Sequence, residues 1–238
     1  MCFRKIKVLL SVLIILFLVT VVINKNLVNY QKECFSDYPL NDYVIVLDAG
    51  HGGEDGGAIG IKTQVREKEI NLAITKKIGR LFESVGATVV LTRTDDGALC
   101  KNGFNKMEDM QNRARIIEES RPYIVISVHC NSFPQNSHVH GAQMFYYPDS
   151  LTGKQLAQSI QDSICLYADS DNKRQIKEAD FFMLRNGQST NVMIECGFLS
   201  CFEEEQLLQD ESYQDKIAYS VFDGTSKFIS KIRTPDNI

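Results

Sequence analysis

Four side chains in this sequence combine the donor types and the placement that a metal-assisted hydrolysis needs: His51, Glu67, His129 and Glu195. Two imidazoles and one carboxylate suit a single zinc ion, because that donor set leaves a fourth position for water. An ion held this way lowers the pKa of its water to about 7 and polarises a carbonyl, which serves both the nucleophile and the developing oxyanion of amide hydrolysis. The leaving amine still needs a proton. Glu195, a second carboxylate near the ion, has the chemistry to collect a proton from water and pass it to nitrogen.

Each of these residues also has an ordinary reading when taken alone. A histidine after a strand is commonly a turn residue, and Glu67 would be an acid in a first helical turn, favoured there by the helix dipole. Glu195 is harder to explain away, since a carboxylate in the apolar run Val192 to Phe198 must reach a partner or emerge at the sheet edge. Around these four, Asp48 either orients a ligand histidine or caps the turn after its strand. Asn131 either donates to substrate or starts a turn. Arg93 and Arg113 either bind an anionic group of the substrate or pair with acids inside the fold. His138 and His140 lie in a polar loop and are predicted at the surface.

The elements that must carry these groups read as an α/β alternation. Tyr43 to Asp48 is a buried strand, nearly all apolar and rich in β-branched residues, and it runs into a glycine-rich loop from Ala49 to Gly60. Apolar residues recur at helical spacing from Arg66 to Val85, with Gly86 as a stop. Further strands are predicted over Ala87 to Thr92, Tyr123 to His129, Gly141 to Tyr147 and Asn191 to Cys196, with Phe181 to Leu184 as a short sixth. Helices are predicted over Met107 to Ser120, Thr152 to Tyr167, Glu203 to Leu208 and Tyr213 to Ile232. His51, His129 and Glu195 then all fall at strand ends, where open α/β sheets build their sites.

Composition narrows the class. The chain has 238 residues, 44% of them hydrophobic and 24% charged, enough for one sizeable core. A net charge of −4 gives no broad positive field and argues against a nucleic-acid partner. From Val8 to Ile23 every residue but Ser11 and Thr20 is apolar, behind Arg4, Lys5 and Lys7, as in a signal anchor or signal peptide. No small-residue cleavage site follows, so an uncleaved anchor with an exported, extracytoplasmic remainder is expected. The predicted layout is an anchor or signal segment over 1–24, a linker over 25–41, a catalytic domain over 42–232 and a tail over 233–238. Seven cysteines, an odd count without a C-x-x-C pair, argue against a disulfide framework.

Four ordered blocks resemble the zinc-dependent N-acetylmuramoyl-L-alanine amidases: Leu47 to Gly53, Arg66 to Leu72, Ser127 to Asn131, and Ile194 to Ser200. The resemblance runs from about Tyr43 to Phe228. It implies a twisted mixed sheet of about six strands flanked by helices, one catalytic zinc, and cleavage between the lactyl group of N-acetylmuramic acid and L-alanine in peptidoglycan. It also implies that His51, Glu67 and His129 bind zinc and that Glu195 is the catalytic acid–base. Small size, the N-terminal apolar segment and the strand Gly141 to Pro148 are most similar to the spore-cortex amidases of endospore formers. That would place the reaction ahead of muramic-δ-lactam formation. An accessory activator protein is a candidate partner whose need the sequence leaves open. Some regulated relatives carry an inhibitory helix before the last catalytic strand, and the short stretch between Tyr167 and Gly187 predicts none here. Cys130, Cys196 and Cys201 depart from the family pattern, and strand alternation should turn Cys130 and Cys196 away from the metal face.

Two rivals remain open on the sequence. A zinc peptidase or carboxypeptidase of the peptidoglycan stem would use the same metal logic. A catalytically inactive wall-binding scaffold would keep the fold without the turnover.

Overall fold

A computed structural model describes residues 40–100, 103–185 and 188–233. The predicted anchor, almost all of the linker and most of the C-terminal tail lie outside these residues. Among the described residues no helix is long and apolar enough to cross a membrane.

Among the described residues six strands form one mixed sheet: β1 (Val44–Ala49), β2 (Thr88–Leu91), β3 (Ile124–Asn131), β4 (Gln143–Tyr146), β5 (Lys177–Glu178) and β6 (Thr190–Phe198), in the spatial order β2-β1-β3-β6-β4-β5. β2, β1, β3 and β6 run parallel, while β4 lies antiparallel to β6 and parallel to β5. The central strands are buried along nearly their whole length, as expected of parallel strands covered on both faces.

Helices cover the two faces unequally. Helix α2 (Lys106–Ser120) sets Ile117 against Val46 of β1 and Val125 of β3. The other face carries α1 (Glu67–Ser84), α3 (Leu151–Tyr167) and α5 (Glu211–Arg233), with α5 packed between the other two, and the short α4 (Phe202–Gln209) precedes it. On this side Gly79 of α1 lies over Leu47, so neighbouring residues of β1 serve opposite layers.

One predicted strand is absent. Phe182–Leu184 forms a 3-10 turn instead. Met183 joins the cluster of Val46 and Ile117, while Leu184 packs with Phe145 and Met193. Burying two successive side chains toward one face suits a tight helical turn and not the alternation of a strand. The sixth strand is the exposed pair Lys177–Glu178. Between Tyr167 and β6 the described residues hold only this pair and the 3-10 turn, with no α-helix.

Candidate active site

β1 delivers the chain to the carboxyl edge of the sheet, where it turns at once through Gly50 and His51. A Cβ on Gly50 would overlap the imidazole of His129, so only glycine fits. His51 sits at φ +61°, a left-handed conformation that costs a residue with a side chain roughly 1–2 kcal/mol. Two buried guanidinium groups hold this turn. Arg113 donates to the carbonyls of Ala49 at 2.7 Å and His51 at 2.6 Å. Arg93 donates to Ala49 at 2.9 Å and Gly50 at 2.9 Å.

Arg113 is itself tied to Asp48 at 2.8 Å and Asp109 at 2.7 Å. Asp48 further accepts from Thr92 Oγ1 and Ser127 Oγ. Burial alone would raise its carboxyl, but Arg113 and these hydroxyls hold it below the usual carboxylate range. Asp48 thus reaches His51 through Arg113 and the loop backbone. Neither arginine keeps its guanidinium in solvent, and the ion-pair reading of Arg113 is the one its contacts support.

Glu67 is the first residue of α1, brought back over the sheet edge by the glycine-rich loop. Its Oε2 lies 3.1 Å from His51 Nε2 and accepts from the Ala58 amide at 2.8 Å. Its Oε1 lies 3.0 Å from His129 Nδ1 and accepts from Asn71 Nδ2 at 3.0 Å and the Cys130 amide at 3.1 Å. Burial would raise the Glu67 carboxyl, yet the hydrogen bonds and charges of the two histidines hold it far below its ordinary value. The same interactions raise His129, against the effect of its own burial. The loop before Glu67 is fastened from far away, because the buried Glu205 of α4 accepts from the amides of Lys62 and Thr63.

Glu195 pairs with His129 across β3 and β6 in parallel register. Both line a cavity of about 230 Å³ together with Asp48, His51, Asp55, Lys106, Met110, Phe181 and Phe182. Glu195 Oε2 is buried without a hydrogen-bond partner. Burial, reinforced by the charge of Glu67 and only partly offset by His129 and His51, pushes this carboxyl up to about 7. Such a group holds or releases a proton near neutral pH.

Donor atoms of His51, Glu67 and His129 all lie within 4.8 Å of one another. Two imidazole nitrogens and one carboxylate oxygen, half-buried or buried and converging on one point, fit a zinc ion in both donor type and number. His51 also has an outer neighbour that the sequence reading missed, Asp55, whose Oδ2 lies 2.9 Å from Nδ1. Asn71, which braces Glu67 one helical turn later, was missed as well. Both stand four residues after a candidate ligand, and that spacing was the available signal.

The remaining candidates lie elsewhere. Asn131 Oδ1 accepts from the Ser132 amide at 2.8 Å, starting the turn after β3, and the residue is not part of the cavity wall. His138 and His140 are exposed and line a larger cavity of about 570 Å³ near α4 and α5, which contains none of the four central residues. Cys130 and Cys196 are buried free thiols, and neither lines the cavity shared by His129 and Glu195.

Known proteins match this arrangement. The model of the N-acetylmuramoyl-L-alanine amidase family matches residues 45–227. The germination-specific N-acetylmuramoyl-L-alanine amidase of Bacillus subtilis (strain 168) is 32% identical over 202 residues, covering 83% of this chain and 84% of that protein. The CwlD amidase from Clostridioides difficile, solved in complex with the GerS lipoprotein, superposes with a TM-score of 0.76 at 41% identity, over 79% of this chain and 98% of that one. An N-acetylmuramoyl-L-alanine amidase from Clostridium difficile 630 gives a TM-score of 0.72 at 29% identity, over 82% and 100%. With nearly the whole span from β1 to α5 accounted for, the chain belongs to the N-acetylmuramoyl-L-alanine amidase family.

Proposed function

We propose that this amidase is zinc-dependent and cuts the bond between the lactyl group of N-acetylmuramic acid and L-alanine, with His51, Glu67 and His129 as the metal ligands and Glu195 as the proton carrier. The observation that carries the reading is the convergence of those three donors within 4.8 Å beside a carboxylate whose Oε2 has no partner. Zinc, when bound, supplies Lewis acidity toward the scissile carbonyl and makes water more acidic. Glu195 Oε2 takes a proton from the attacking water and gives it to the leaving nitrogen of L-alanine. Asp55 fixes the orientation of the His51 ring through Nδ1, as outer carboxylates do for ligand histidines. Phe181, Phe182 and Met110 give the cavity an apolar wall beside the reacting groups.

The biological setting is part of the same proposal. Similarity to a germination-specific amidase supports action on spore-cortex peptidoglycan, where removal of the stem peptide prepares muramic acid for δ-lactam formation. The relative solved with a lipoprotein supports an accessory partner of that kind. The basic and apolar N-terminal segment supports anchorage to a membrane, with the catalytic domain on its outer side.

Digestion of purified peptidoglycan by the zinc-loaded full chain, followed by mass spectrometry of the soluble products, tests the reaction. Glycan bearing free lactyl groups and intact stems with a new N-terminal L-alanine is the expected pattern. Shortened stems would identify a stem peptidase instead, and no release by protein with stoichiometric zinc would identify an inactive scaffold.

A further inference from the structure

The cavity beside His51 and Glu195 is not electrically uniform. Asp48, Asp55, Asp109 and Glu195 contribute acids to its wall, and its permanent cations are Arg113 and Lys106. Arg113 is buried, with its donors directed at Asp48, Asp109 and the carbonyls of Ala49 and His51. Lys106 is different. It is the first residue of α2, its side chain is 70% exposed, and the carboxylate nearest its ammonium is Asp55, whose Oδ2 stands 3.9 Å away. The same oxygen lies 2.9 Å from His51 Nδ1. An exposed ammonium sharing a distant carboxylate is weakly held, and it keeps its donors for an incoming anion.

The proposed substrate carries an anion in a defined place. The lactyl carboxyl of muramic acid is consumed in the scissile amide, so a carboxylate close to the cut must belong to the peptide. In a stem whose second residue is glutamate linked through its side chain, the α-carboxylate of that residue is free. A residue spans at most about 3.3–3.6 Å, which puts this group roughly 7 Å from the scissile carbon. Lys106 stands one side chain beyond His51, with Asp55 between them.

We infer that Lys106 binds the free α-carboxylate of the second stem residue and makes the enzyme prefer stems in which that carboxylate is not amidated. This assigns a specificity-determining residue and rests on the amidase reading above. Lys106 acts on binding and takes no part in bond cleavage.

The test uses the zinc-loaded full chain and two synthetic muramoyl tripeptides that differ only in having glutamate or its α-amide at the second position. The wild type should show about three- to tenfold higher kcat/KM for the free acid, carried by KM. Lys106→Met should bring the ratio of the two substrates close to one, and Lys106→Arg should preserve it. Equal kcat/KM for the two substrates in the wild type, or a preference that survives Lys106→Met, overturns the inference and leaves the amidase reading intact. Cleavage of neither substrate by the zinc-loaded wild type overturns both.

Discussion

His129 and Glu195 stand directly opposite each other on the neighbouring parallel strands β3 and β6, and both side chains line the same cavity. The separation between a candidate metal ligand and the candidate proton carrier is therefore set by the hydrogen-bonded interior of the sheet. His51 and Glu67 come from loops and a helix start, and they need separate braces to meet that fixed pair. Glu195→Gln should lower kcat by roughly 10²–10⁴ while leaving zinc stoichiometry near one. Turnover at the wild-type rate by that variant would remove Glu195 from the mechanism.

Zinc content should follow the three donors. His51→Ala, Glu67→Ala and His129→Ala should each lose bound zinc by elemental analysis, and a chelator should abolish activity that added zinc restores. Asp55→Asn should keep the ligands but weaken zinc affinity by roughly 10–100-fold, measured by competition with a chelating dye. Unchanged affinity would show that Asp55 does not orient His51.

The raised Glu195 carboxyl makes a prediction for the metal-free protein. Its folded value of about 7 exceeds its ordinary 4.5, so the folded state holds the proton more tightly than the unfolded chain. Its contribution to stability must fall as pH rises through that interval, reaching a cost of about 3 kcal/mol above it. Glu67 acts outside this window, since its depressed value gives stability that is lost only as pH drops below 4.5. In the presence of chelator, Glu195→Gln should match the wild type in denaturant melts near the low end of the interval and exceed it at the high end. A constant difference across pH would contradict the assignment.

Arg113 joins two buried acids to the strained turn at His51. Removing one partner of a buried ion pair leaves the other charge unmatched, so Arg113→Ala should lose about 3–5 kcal/mol in urea denaturation. It should also weaken zinc binding, because the His51 carbonyl loses its donor. A variant of wild-type stability would mean that water replaces the guanidinium without penalty.

The interior of the sheet was legible in the sequence because β1, β3 and β6 are runs of β-branched and apolar residues with few alternatives. Its far edge was not. β5 is two exposed charged residues without a pattern, and Phe181 to Leu184 reads as strand because the run is short and apolar. At the site, the placement of His51 just past β1 was readable, as were His129 and Glu195 toward the carboxyl ends of β3 and β6 and Glu67 at a helix start. The tasks of Arg93 and Arg113 were not, since each reaches backbone carbonyls more than 40 positions away. Periodicity carries no trace of such contacts.

The grip of Glu205 on Lys62 and Thr63 joins positions 143 and 142 residues apart in the chain. A polypeptide synthesised from its N-terminus presents His51, Glu67 and His129 long before Glu205 exists. Until then the segment leading into α1 lacks its fastening, and the carboxylate of Glu67 has no fixed approach to the two histidines.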